Sequence, residues 1–128
     1  MKTPESYEKD EIIKYLTSIG AWWFKPSMGF YGKVGVPDIV ACLAGRFVGI
    51  EAKRRGKLPT PIQAQRLREI NAAGGIALWG TAEKVIKELE DLLCYKKDQN
   101  EKRLVTSSIE NVIEKNYYGI FKRPKDNE

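Results

Sequence analysis

Asp38, Glu51 and Lys53 are the residues of this 128-residue chain whose types and spacing point to chemistry. Ala44-Gly45 separates two apolar runs, Asp38–Leu43 and Arg46–Lys53, and reads as a two-residue hairpin turn. Leu43 then faces Arg46, Ala41 faces Val48 and Asp38 faces Glu51, with directly opposed Cβ atoms ~4.5–5.5 Å apart. Strand alternation puts Lys53 on the same side as Glu51, one pleat further along. A bulge at Gly45 would shift this register by one residue. Two carboxylates opposed across a ladder repel each other, and a hard divalent cation relieves that repulsion. Mg²⁺ takes oxygen ligands from one or two carboxylates and keeps waters and phosphate oxygens in its remaining positions. It lowers the pKa of its water and neutralises charge on a phosphoryl oxygen, and Lys53 would orient that water or offset the developing charge. The plainer alternative is a Glu51–Lys53 ion pair at a strand end with Asp38 capping a turn.

Composition narrows the other possibilities. Histidine is absent, which excludes a His general base, Ser-His or Cys-His nucleophile pairs and any His-ligated metal. Cys42 and Cys94 are too few for a structural zinc site or a disulfide framework, and Cys42 reads as a small core residue. Apolar residues make up 42%, enough for a core, yet no apolar run approaches the ~20 residues of a membrane span. The opening MKTPESYEKDE lacks the apolar region of a secretory signal, so a soluble domain in a reducing compartment is expected.

The net charge is +5, and its surplus is concentrated where Arg46, Lys53, Arg54, Arg55 and Lys57 stand against Glu51 alone. That stretch reads as a footprint for a polyanion. Ser27, Gly29, Gly32, Lys33 and Gly35 precede Asp38 in a segment able to approach a phosphate backbone. Lys25, Ser27, Lys33, Arg54, Arg55 and Lys57 are therefore the expected phosphate contacts, which position a duplex without reading its sequence.

The elements that must hold these groups follow from periodicity and punctuation. Thr3-Pro4 starts a helix whose apolar positions are Ile12, Tyr15, Leu16 and Ile19, stopped by Gly20. Ala21–Phe24 is a short strand whose aromatic residues Trp22, Trp23 and Phe24 are expected in the core, and residues 25–37 form a loop. After the hairpin, Thr60-Pro61-Ile62-Gln63 opens a second helix ending at Gly74-Gly75. Ile76–Trp79 is a strand, and Thr81 caps a third helix with Val85, Ile86, Leu89, Leu92 and Leu93 on its apolar side. Residues 96–103 read as a polar linker, followed by a helix from Ser107 or Ser108 and a frayed end. Both sides of the hairpin strands are apolar, so the expected class is an α/β sandwich with its sheet covered on two faces. Residues 1–95 form the core and 96–128 a C-terminal helical extension. There Tyr117, Tyr118 and Phe121 are expected to pack on the domain or on a partner copy.

Pro37-Asp38, the hairpin and Glu51-Ala52-Lys53 resemble the PD-(D/E)XK nuclease signature. The longer run GVPDIVACLAGRFVGIEAK, the basic segment and LPTPIQAQRLREINAAGGIAL is similar to the VRR-NUC (virus-type replication-repair nuclease) family, over about residues 5–93. The resemblance implies a restriction-endonuclease-like core, an α-β-β-β-α-β mixed sheet flanked by helices, and Mg²⁺- or Mn²⁺-dependent hydrolysis of DNA. It implies Asp38, Glu51 and the Ala52 carbonyl as metal ligands, Lys53 as the catalytic lysine and Gln63 as a further site residue. Gln63 also completes a capping box with Thr60, and the two roles are compatible. The family's first-helix glutamate aligns with Lys9, flanked by Glu8 and Glu11. Glu8 lies nearer the centre of the apolar side and is the expected third acid and metal ligand, with Glu11 its alternate.

Small members of the family resemble Holliday junction resolvases, which implies branched DNA as substrate, a homodimer and a bacterial or phage-infected cytoplasm. The resemblance implies neither a membrane nor a small-molecule cofactor. Flap- or nick-directed and restriction-type nucleases, or a DNA-binding module without catalysis, are the alternatives.

Overall fold

The computed structural model describes residues 2–27 and 32–104, with side chains as far as Cys94. The chain divides into a compact unit over Met1–Leu92 and a second over Leu93–Glu128. The expected helix from Ser107 or Ser108, the frayed end, Tyr117, Tyr118, Phe121 and Gly29 lie outside the described residues.

In chain order the elements are α1 (Pro4–Ser18), β1 (Trp22–Phe24), β2 (Ile39–Leu43), β3 (Arg46–Ala52), α2 (Pro61–Ala72), β4 (Ile76–Gly80) and α3 (Ala82–Leu104). The sheet order is β1-β2-β3-β4. β1–β2 and β2–β3 are antiparallel, whereas α2 crosses over to make β3–β4 parallel. Thr3 caps α1, its hydroxyl accepting from the Ser6 amide at 3.2 Å. Thr81 does the same for α3 through the Lys84 amide at 3.3 Å. Ala44 and Gly45 both take positive φ, 51° and 79°, as the two-residue turn whose twist matches that of its strands. No bulge intervenes: Leu43 pairs with Arg46, Ala41 with Val48 and Ile39 with Ile50.

One sheet face carries Ile39, Ala41, Leu43, Val48, Ile50 and Ala52, all buried. Ile12 and Leu16 of α1 and Val85 and Leu89 of α3 complete this core. The opposite face is packed by α2 where Gly49 and Gly75 let Ile70 lie directly on the strands. Among the described residues it is not covered along its whole width, which differs from the expectation of a sheet enclosed on both sides. Trp22 is 64% and Phe47 49% exposed, and Phe24 and Cys42 are exposed beside them. Cys42 is therefore not a core residue, and only Trp23 of the aromatic trio is half-buried, its indole N–H donating to Thr17 at 3.0 Å. α2, a 12-residue helix, packs mainly on β4 and β3, and its Arg66, Glu69 and Ile70 form one wall of an open groove over the β1–β2 side. Apolar periodicity records which residues tolerate burial, not which are buried.

Residues 96–103 also depart from expectation, because α3 continues through them to Leu104. No Gly or Pro interrupts residues 82–104, and Lys, Glu, Gln and Arg are good helix formers even without an apolar side. Among the described residues no helix is long and apolar enough to cross a membrane.

A Cβ at Gly49 would stand 2.7 Å from Ile70 Cδ1 and 3.0 Å from the Pro37 ring. Gly49→Val is therefore expected to destabilise the fold by about 1–3 kcal/mol through overpacking. Thermal unfolding followed by circular dichroism checks this, and an unchanged midpoint would refute the close approach of α2 to β3.

Candidate active site

The site forms where β2 begins and β3 ends. The last ladder pair is Ile39–Ile50, so Asp38 and Glu51 continue that register one residue beyond it. The ladder does not close past this point with main-chain groups. Asp38 Oδ2 instead accepts from the Ala52 amide at 3.1 Å, and this bond fixes the first acid. Upstream, Arg66 of α2 clasps the loop: its Nε donates to the Val34 carbonyl at 2.9 Å while Glu69 grips the guanidinium at 2.8 and 2.9 Å. Gly35, at φ 79°, presses that loop against Ile62, where a Cβ would come within 2.8 Å.

Glu51 is 2% and Lys53 4% exposed, the two charged residues buried among the described ones. Glu51 Oε1 accepts from Gln63 Nε2 at 3.0 Å. The same Gln63 amide closes the capping box, its Oε1 accepting from the Thr60 amide at 2.9 Å while Thr60 Oγ1 accepts from the Gln63 amide at 3.3 Å. One Gln63 side chain thus closes the capping box and also touches Glu51. Glu51 Oε2 is buried with no hydrogen-bond donor. Burial first, then the charge of Asp38 and a hydrogen bond to Asp38 open only to the protonated acid, push Glu51 up to about 8. Lys53 and Lys9 pull in the opposite direction but do not prevail.

A hard divalent cation fits these groups. A buried carboxylate oxygen without a donor, beside a second carboxylate, has the donor chemistry that such an ion takes. Among the described residues no group of three or more Cys, Asp or Glu side chains is spaced to hold a metal.

That finding bears on Glu8. Its carboxylate accepts from the Ala82 amide at the start of α3, and among the described residues it is not grouped with Asp38 and Glu51. Glu8 lies one turn before Ile12, and the apolar side of α1 that favoured it leads to the helix behind the sheet. Glu11 is exposed and paired with Lys14 at 3.1 Å. The α1 side chains that do reach the cluster are Glu5, 3.9 Å from Lys53 Nζ, and Lys9, 3.7 Å from Asp38 Oδ1. Sequence reasoning missed both as site residues. The available signal was their i, i+4 spacing with opposite charge on the side of α1 next to its apolar stripe.

A cleft of about 470 Å³ opens at Asp38, lined among others by Lys9, Lys25, Thr60 and Gln63. Lys25 therefore lines the same cleft as Asp38. Arg54, Arg55 and Lys57 are exposed on the turn that follows Lys53, which Gly56 closes at φ 82°. Ser27 and Lys33 are brought elsewhere, to an apolar groove of about 480 Å³ with Trp22, Phe24, Cys42 and Phe47, where Lys33 lies 3.7 Å from Glu69.

No family model and no curated protein matches the sequence. Among solved structures the chain is similar to a "VRR_NUC domain", with TM-score 0.61 and 21% identity over 70% of this chain and 97% of that one. It is also similar to a "VRR_NUC domain protein", with TM-score 0.58 and 17% identity over 71% and 88% of the two chains. A looser overlap is with Archaeoglobus fulgidus Hjc, described as a Holliday junction resolvase, at TM-score 0.45 and 20% identity over 59% and 68%. The first two likenesses establish the fold: a mixed four-stranded sheet with flanking helices, of the restriction-endonuclease-like kind.

The raised Glu51 pKa has a stability consequence without any metal. Between its ordinary 4.5 and about 8 the unfolded chain holds fewer protons at this group than the folded one, so stability falls as pH rises through that window. The loss is about 1.4 kcal/mol per pH unit at most. Unfolding of the chelator-treated protein from pH 5 to 9 should show this slope, and Glu51→Gln should flatten it. A wild-type curve as flat as that of the variant would contradict the placement of the acid.

Proposed function

We propose that this chain is a divalent-metal-dependent DNA endonuclease of the VRR-NUC type, which hydrolyses phosphodiester bonds and favours branched DNA. The observation that carries the reading is the meeting of Asp38 and Glu51 with Lys53 at one sheet end, with Glu51 Oε2 buried and without a donor. The shared fold with VRR_NUC domains supports it.

In this reading Asp38, Glu51 and the Ala52 carbonyl hold Mg²⁺ or Mn²⁺. When bound, the ion supplies a water of lowered pKa and positive charge beside a phosphoryl oxygen. Gln63 holds Glu51 in place and, with its other end, holds the start of α2. Lys53, buried at the end of β3, places an ammonium where charge develops on the scissile phosphate, at no cost of reorganisation during reaction. Arg54, Arg55 and Lys57 on the adjacent turn, with Lys25 at the cleft, engage flanking phosphates. Two copies related by a two-fold axis would offer equivalent sites to the paired strands of a four-way junction.

The test is cleavage of labelled junction, flap, nicked and linear duplex DNA with Mg²⁺ or Mn²⁺, the junction being cut best. Intact strands at every protein and salt concentration would overturn the proposal. Asp38→Asn and Lys53→Ala, checked for folding by circular dichroism, should lower the cleavage rate by about 10²–10³-fold while DNA is still bound.

Replacing Arg54 and Arg55 together by Ala should act on binding instead. The affinity should drop similarly for all sequences, and the slope of log affinity against log salt should become shallower by about two. An unaltered slope in fluorescence anisotropy would remove these residues from the interface.

A further inference from the structure

We infer that Lys9 is the resident counter-ion of the acidic pair, and that a divalent cation binds at Asp38 and Glu51 only by displacing it. The inference rests on the metal reading above and concerns what that metal must compete with.

Three observations carry it. Lys9 Nζ lies 3.7 Å from Asp38 Oδ1 and lines the cleft that opens at that acid, so a positive charge already sits beside that carboxylate. Glu5, one turn earlier on α1, pairs with Lys53 at 3.9 Å, so α1 sets a cation against the acid and an anion against the base. Finally, the contact is loose. At 3.7 Å it is an ion pair without a hydrogen bond, and the Lys9 side chain is 33% exposed, so it can swing into water on its flexible stem.

The consequence follows from Coulomb's law. A doubly charged ion on Asp38 with Lys9 in place would face a like charge a few ångströms away, in a partly desolvated cleft. The ammonium must leave, and the work of parting it from Asp38 is subtracted from the metal's affinity. Without a metal the same ammonium partly offsets the repulsion between the two acids. Lys9 is thus a positioning residue with opposite effects on the metal-free and metal-loaded protein.

The experiment uses the full chain with Mn²⁺ alone and no DNA, reading free Mn²⁺ by electron paramagnetic resonance and heat of binding by calorimetry. Lys9→Met keeps the apolar stem and removes the charge, and should bind Mn²⁺ about tenfold more tightly than wild type. Lys9→Arg retains the charge and should stay within about twofold of wild type. Thermal unfolding gives the second readout. Lys9→Met should melt below wild type with chelator and gain more than wild type on adding Mn²⁺, a crossing pattern that a purely structural role does not produce. Equal or weaker Mn²⁺ binding by folded Lys9→Met, with clear binding by wild type, overturns the counter-ion role and leaves the metal reading intact. No Mn²⁺ uptake by either protein overturns both.

Discussion

The structure depends on the burial of one carboxylate beside another. Glu51 is almost wholly removed from water, and the charge of Asp38 beside it further disfavours its ionised form. Ionised carboxylates do not tolerate such surroundings without donors or counter-charges. Most features around the sheet end answer that demand. The Ala52 amide serves Asp38, the Gln63 amide serves one oxygen of Glu51, and Lys53 and Lys9 bring positive charge from two different elements. The other oxygen of Glu51 is left over, and the chemistry assigned to the site is built on that remainder.

The fold around this point serves to keep the two acids in register. The turn at Ala44-Gly45 sets the pairing of β2 with β3, and without a bulge the phase is carried unbroken to Asp38 and Glu51. Gly49 and Gly75 let α2 lie against β3 and β4 closely enough for Gln63 to touch the acid. Arg66 and Gly35 tie the incoming loop to the same helix. Position is thus set by close backbone approach, which small residues at particular places permit.

Much of this was legible in the sequence, because turn chemistry and strand alternation are local rules. The Ala44-Gly45 turn, the Asp38–Glu51 register that it sets and the caps at Thr3, Thr60 and Thr81 follow from such rules. What was not legible depended on what lies across a gap. The apolar side of α1 identified Glu8 but not the helix end it meets, which is 74 residues further along. The alternation of β2 gave Cys42 an apolar neighbourhood but not the width of the helix above it. Lys9 and Glu5 join the site through Asp38 and Lys53, just outside the ends of β2 and β3, which the pattern of α1 alone does not reveal.

Gln63 carries a restriction that neither of its duties imposes alone. Glutamate closes a capping box as well as glutamine does, since only an acceptor is required of the third residue. The bond to Glu51 requires a donor as well, and a carboxylate there would add a third negative group to a pair already short of compensation. The alphabet at this position therefore shrinks to a single letter, and what looks like interchangeable helix punctuation is a fixed part of how the chain spells its acidic centre.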